Sequence, residues 1–139
     1  MEMQQNVWVP VPVVEIRTQS SVYVRRADGI VVQTPIEGTT QTLDDAKENV
    51  TTFQMLTEGR QTPLLVDGRP SYRQKPGVRE YYASPAAAKN LAAMALLIGS
   101  SSGRFLFNLF LALSRPSTPT RVFTSEQEAI TWLLRFRRF

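Results

Sequence analysis

The chain contains no cysteine and no histidine in its 139 residues. Without cysteine there are no disulfides, no thiol nucleophile and no thiolate metal site. Without histidine the usual general base and the commonest zinc ligand are missing. Long apolar runs are also lacking. The two most apolar stretches, Leu91 to Ile98 and Phe105 to Leu113, fall far short of the roughly 20 residues that cross a bilayer, and Gly99-Ser100-Ser101-Ser102-Gly103-Arg104 separates them. The start, Met1-Glu2-Met3-Gln4-Gln5, has neither a basic segment nor an apolar one of the kind that marks a secretory signal. These features predict a soluble, cytoplasmic protein with no metal site, no catalytic residues and no cofactor.

What is present is globular composition, 42% hydrophobic with 20% charged, at a length that suits one domain with a sizeable core. The net charge of +4 is unevenly spread. Residues 1–58 carry four basic groups against eight acidic ones, and residues 59–139 carry twelve against four. A basic half can attract phosphate, but no run of basic residues interleaved with aromatics accompanies it, so a solvated arginine-rich surface is preferred to nucleic-acid binding.

Residues 1–12 read as an N-terminal arm. In Val7-Trp8-Val9-Pro10-Val11-Pro12-Val13 the alternate prolines cannot donate to a sheet ladder, leaving either an arm docked on a neighbouring subunit or a loosely ordered terminus. Residues 13–139 then read as one domain. Strands are predicted at Val14 to Arg17, Val22 to Arg25 and Ile30 to Val32, the last two joined by the hairpin signal Ala27-Asp28-Gly29. Thr42 with Asp45 forms a capping box for a helix whose apolar stripe is Leu43, Ala46, Val50, Phe53 and Leu56, with Gly59 as its stop.

The organising stretch is Thr62 to Asp67, a short continuous apolar run closed by an aspartate and followed by the polar loop Gly68 to Gly77. Such a run is a buried central strand, and its carboxyl end is where open α/β sheets meet ligands and partners. A short helix Val78 to Tyr82, a further helical stretch Ala86 to Asn90, a buried strand Ala92 to Ile98, an apolar helix Arg104 to Ser114, a strand Thr120 to Phe123 and a helix capped by Ser125-x-x-Glu128 complete the chain. The order predicts an α/β fold with a mixed β-sheet, antiparallel at its N-terminal strands and flanked by about four helices.

This order resembles the STAS/SpoIIAA-like superfamily, and more closely its uncharacterised bacterial STAS/SEC14-like branch. The likeness is carried by Thr42-Leu43-Asp44-Asp45-Ala46-Lys47-Glu48-Asn49, Pro63 to Asp67, Arg79-Glu80-Tyr81-Tyr82-Ala83, Arg104 with Asn108, and Pro119 to Thr124. The resemblance implies a non-enzymatic regulatory module that binds a protein partner. In anti-sigma-factor antagonists of this fold, a strand ending in Asp leads to an Asp-Ser-Ser-Gly-like turn whose hydroxyl is phosphorylated. Here Asp67 matches the strand end, but the turn reads Gln74-Lys75-Pro76-Gly77 and the phosphoacceptor is missing.

The candidate partner-binding or regulatory loop is therefore Asp67, Arg69, Ser71, Tyr72, Arg73, Lys75 and Arg79. A phosphate on Ser71 or Tyr72 would face Arg69, Arg73 and Lys75. A homodimer is expected as well, because the helix Phe105 to Leu113 is apolar nearly all round. The alternative is a carrier of a lipid or other apolar ligand, with Arg104 and Asn108, one turn apart, as candidate contacts.

Overall fold

A mixed sheet forms the centre of the chain in a computed structural model that describes residues 9–100, 103 and 117–137. The expected helix Arg104 to Ser114, with Arg104, Asn108 and the run Phe105 to Leu113, lies outside the described residues, as do residues 1–8 of the arm.

The sheet has six strands: β1 (Val14–Arg17), β2 (Ser21–Arg25), β3 (Val31–Pro35), β5 (Thr62–Asp67), β7 (Leu91–Leu97) and β8 (Thr120–Phe123), in that spatial order. The first three pair antiparallel through short turns, and β3, β5, β7 and β8 run parallel. At the β2–β3 turn Gly29 takes φ 88°, which glycine adopts without a Cβ clash, and the Asp28 carboxylate accepts from the Ile30 N–H at 3.1 Å. Two further strands of two residues each, β4 (Thr40–Gln41) and β6 (Arg73–Gln74), make a separate parallel ladder. They had no signal in the sequence.

Three α-helices are present among the described residues, against about four expected: α1 (Leu43–Thr57), α2 (Val78–Tyr82) and α3 (Glu126–Leu133), the last extended by a 3-10 turn at Leu134–Phe136. The fourth expected helix is the one outside the described residues. Residues 86–90 form turns and not the helical stretch expected from their alanines. Asn90 there has φ 64°, a left-handed conformation that ends the segment before β7.

The α1 capping box forms as expected. Thr42 Oγ1 accepts from the Asp45 N–H at 3.1 Å, and the Asp45 carboxylate accepts from the Thr42 N–H at 2.9 Å. The helix stops one residue earlier than Gly59, because Glu58 itself turns left-handed at φ 51°. Leu43 is exposed, not part of the buried stripe. As the first helical residue it lies outside the sheet's footprint, and the stripe that faces the sheet is Ala46, Asn49, Val50, Phe53 and Leu56.

Alternation along each strand divides the core in two. On one face Tyr23, Val31 and Leu64 pack against Phe53 and Leu56 of α1. On the other, Ile30, Leu65, Ala93, Ala95, Leu97 and Phe123 pack against Ala129, Trp132 and Leu133 of α3. β5, with both faces covered, is buried from Thr62 to Leu65. Pro63 has no N–H to give to a ladder, and the β5–β7 register shifts between Thr62 and Pro63 to accommodate it.

Candidate functional site

The carboxyl ends of the parallel strands bring together the loops after β3, β5 and β8. Gly68 takes the chain out of β5 by donating its N–H to the Leu97 carbonyl at 2.7 Å. A Cβ at this position would stand 3.0 Å from that same carbonyl oxygen, so the close approach of β5 to β7 requires glycine.

Asp67 and Arg69 then close on one another. Arg69 Nε and Nη2 donate to the two Asp67 oxygens at 2.9 Å each, and the Arg69 N–H adds a third bond at 3.0 Å. Arg69 Nη2 also reaches the Glu126 carboxylate in the first turn of α3 at 3.5 Å. The hydrogen bond from the Arg69 side chain holds the Asp67 carboxyl below its ordinary range, with burial working in the opposite direction. A group whose folded pKa is depressed stabilises fully above its unfolded pKa, and that contribution is lost as pH falls through the folded pKa. Asp67→Asn is therefore expected to cost stability at about pH 5, and the gap from the native chain should close as pH drops below the usual aspartate value near 4. Urea melts of both proteins at several pH values check it; a gap that stays constant would dissociate Asp67 from any ion pair.

Beyond Arg69 the loop is laid along the β3–α1 connection. The Ser71 N–H donates to the Glu37 carboxylate at 3.1 Å, the Gly38 N–H to the Ser71 carbonyl at 2.7 Å, and the N–H groups of Arg73 and Lys75 to the carbonyls of Thr39 and Gln41 at 2.9 Å each. The backbone of the loop is thus ordered, while Ser71, Arg73 and Lys75 remain exposed. Tyr72 is half-buried, and burial raises its hydroxyl pKa while the neighbouring Arg79 charge partly lowers it. Gly77, at φ 91°, turns the chain into α2 without a side-chain cap. Ser71 has a carboxylate beside it as well as cations, so a phosphate there would compete with Glu37 for the Ser71 N–H instead of meeting a wholly basic pocket.

Below the loop lies a buried polar cluster that sequence reasoning missed. Asn49, fully buried on α1, accepts from Thr18 Oγ1 at 2.7 Å and donates through Nδ2 to Ser20 Oγ at 3.0 Å, Tyr82 Oη at 3.0 Å and Ser21 Oγ at 3.4 Å. Tyr82 Oη donates on to Gln41 Oε1 at 3.2 Å, and Gln33 Nε2 donates to Ser21 Oγ at 3.3 Å. Burial raises the Tyr82 pKa despite its bonds to Asn49 and Gln33. Among the described residues no buried side-chain nitrogen or oxygen is left without a partner. The cluster ties the β1–β2 turn, β3, β4, α1 and α2 together directly beneath the loop. Its signal was available: Gln33 alternates with Val31 and Pro35 on an inward face, and Asn49 sits inside the apolar stripe of α1.

Among the described residues no group of three metal-ligating side chains occurs, and no helix is long and apolar enough to cross a membrane. The space lined by Val11, Arg25, Leu56 and Thr62 measures about 30 Å³, room for a few waters at most and too small for a lipid.

The model of a domain of unknown function, DUF7793, matches residues 23–137. The chain belongs to this family. A search of the curated proteins gives no match. Among solved structures, an uncharacterized DUF3478-family protein with a SpoIIAA-like fold from Shewanella loihica PV-4 is similar, with a TM-score of 0.57 and 12% identity, covering 95% of this chain and 99% of the other. The DUF7793 chain therefore has the SpoIIAA-like fold expected from the order of its elements. At that identity the likeness concerns the fold alone.

Proposed function

We propose that this DUF7793 domain is a non-enzymatic regulatory module that binds a protein partner, and that an acidic surface of the partner meets the Gly68–Gly77 loop. One observation carries the proposal: the loop is ordered through its backbone by the β4–β6 ladder while the side chains of Ser71, Arg73 and Lys75 stand exposed. A surface that is ordered before binding loses little conformational entropy on association, and cations on it favour acidic partners. The chain's chemistry supports the non-enzymatic part. It has neither histidine nor cysteine, and Asp67, the carboxylate at the end of the central strand, is committed to Arg69.

The test places a photo-crosslinking residue at Gln74, an exposed position within the loop, and identifies what is captured in host cells. The purified captured partner is then titrated with the native chain and with the Arg73→Glu/Lys75→Glu variant. Reversal of two exposed cations should weaken binding about tenfold and flatten its salt dependence. Equal affinity for both chains would remove the loop from the interface.

A further inference from the structure

We infer that the open edge of β8 and the depression beside it dock an extended, acidic segment of a partner protein, at a surface separate from the Gly68–Gly77 loop. β8 is the last strand of the six-stranded sheet, and among the described residues it is paired only with β7. The bonds at the two ends of that ladder run from the Met94 N–H to the Pro119 carbonyl and from the Ile98 N–H to the Phe123 carbonyl, both at odd positions of β8 and its lead-in. In a parallel ladder alternate residues turn their polar groups to opposite sides, so Thr120 and Val122 present their N–H and C=O groups to the open edge. An extended segment added there would continue the sheet.

Beside this edge β8 and α3 enclose an open depression of about 470 Å³ lined by Arg121, Phe123, Gln127, Glu128, Trp132 and Arg135. The Arg121 guanidinium lies over two rings, 5.4 Å from the centroid of Phe123 and 5.8 Å from that of Trp132. The rings are fixed in turn: Trp132 packs at 5.7 Å on Phe123 and at 4.8 Å on Phe136. A guanidinium stacked in this way keeps its donors in place.

The ion pairs among the described residues join Arg25 to Glu58, Arg26 to Asp28, and Arg69 to Asp67 and Glu126. None involves Arg121 or Arg135, so among the described residues neither guanidinium has an ion-pair partner. Trp132 and Phe123 are only 8% and 6% exposed, which leaves no ring face on which a nucleobase could stack. An open strand edge flanked by two arginines, which outnumber the single Glu128 carboxylate in the same lining, selects an extended peptide with acidic side chains over a nucleic acid.

The test selects a phage-displayed library of random linear peptides on the intact chain and measures the enriched peptides by fluorescence anisotropy. Enriched sequences should carry Asp or Glu among β-branched residues. Their affinity should fall about tenfold or more for Arg121→Glu/Arg135→Glu and less for Arg121→Gln/Arg135→Gln. N-methylation of alternate peptide nitrogens should abolish binding in one register and spare it in the other, a result independent of any folding defect in a variant. Arg73→Glu/Lys75→Glu should bind the same peptides within about twofold. Failure of the loop proposal leaves this result intact, and the reverse holds too. An absence of acidic enrichment, equal binding by the Arg121/Arg135 variants, tolerance of both N-methyl registers, or loss of binding in the loop variant would each overturn the inference.

Discussion

Asn49→Ala is expected to lower the stability of the fold by about 3–4 kcal/mol, because Thr18, Ser20 and Tyr82 each lose a buried bond worth about 1–2 kcal/mol. Asn49 is fully buried and uses both ends of its amide, the oxygen toward Thr18 and the nitrogen toward Ser20, Ser21 and Tyr82. For a chain of this size the loss corresponds to a fall in Tm of roughly 10–15 °C. Asn49→Leu separates the two contributions to that loss. It restores the volume but not the bonds, so it should be nearly as damaging as alanine if polar pairing dominates, and much milder if the alanine effect is a cavity. A loss below about 1 kcal/mol for both variants would mean that the cluster contributes little to stability. Tyr82→Phe removes only the outermost hydroxyl and should cost about 1 kcal/mol, while uncoupling α2 from Gln41 and so from the β4–β6 ladder under the loop.

The contrast between that cluster and the apolar core shows which parts of the fold could be read from the chain. The strands of the six-stranded sheet were legible because their signals are local: alternation in β1, β2 and β3 and continuous apolar runs in β5 and β7 lie within a few residues of the turns that end them. Capping at Thr42 and Ser125 was legible for the same reason, since each cap and its donor lie three residues apart.

The polar cluster recruits Thr18, Gln33, Gln41, Asn49 and Tyr82 from five separate elements, and every bond that Asn49, Gln33 and Tyr82 make within it joins residues far apart in the chain. What the sequence does carry is a pair of local conflicts, Gln33 on an inward strand face and Asn49 inside a helical apolar stripe. A local rule broken inside a core marks a paired polar group. The β4–β6 ladder was illegible because its strands hold two residues each, shorter than any periodicity. Their partners, Thr40 with Arg73 and Gln41 with Gln74, meet only once the parallel sheet has set β3 beside β5.

The loop residues fare unevenly for a physical reason. A basic residue in a polar loop reads as available, but Arg69 lies two residues from Asp67, and the tight exit at Gly68 folds its side chain back onto the carboxylate. Further along, Arg73 and Lys75 are exposed where the backbone is already engaged by the ladder.

Arg25→Met is expected to cost about 2–3 kcal/mol and to release the start of the described chain, because one buried guanidinium holds three parts of the structure together. Its Nε and Nη2 donate to the Pro12 carbonyl at 3.2 and 3.1 Å, and Nη1 donates to the Leu56 carbonyl at 3.3 Å and pairs with Glu58 at 3.2 Å. Leu56 and Glu58 lie at the C-terminal end of α1, where orphan carbonyls and the negative end of the helix dipole favour a cation. Methionine keeps the apolar stem but leaves those carbonyls without their donor.

The arm responds to the same change. Val11 donates its N–H to the Ala27 carbonyl at 3.0 Å, beside the Pro12 carbonyl that Arg25 holds, so these two arm residues are bonded to their own chain. Hydrogen exchange at the Val11 amide should therefore accelerate in Arg25→Met by more than the global loss of stability accounts for. Arg25→Lys should recover little, since a single ammonium cannot serve Pro12, Leu56 and Glu58 from one position. Unchanged protection at Val11 in both variants would show that the arm is held by its backbone bond alone and that the guanidinium acts only on the end of α1.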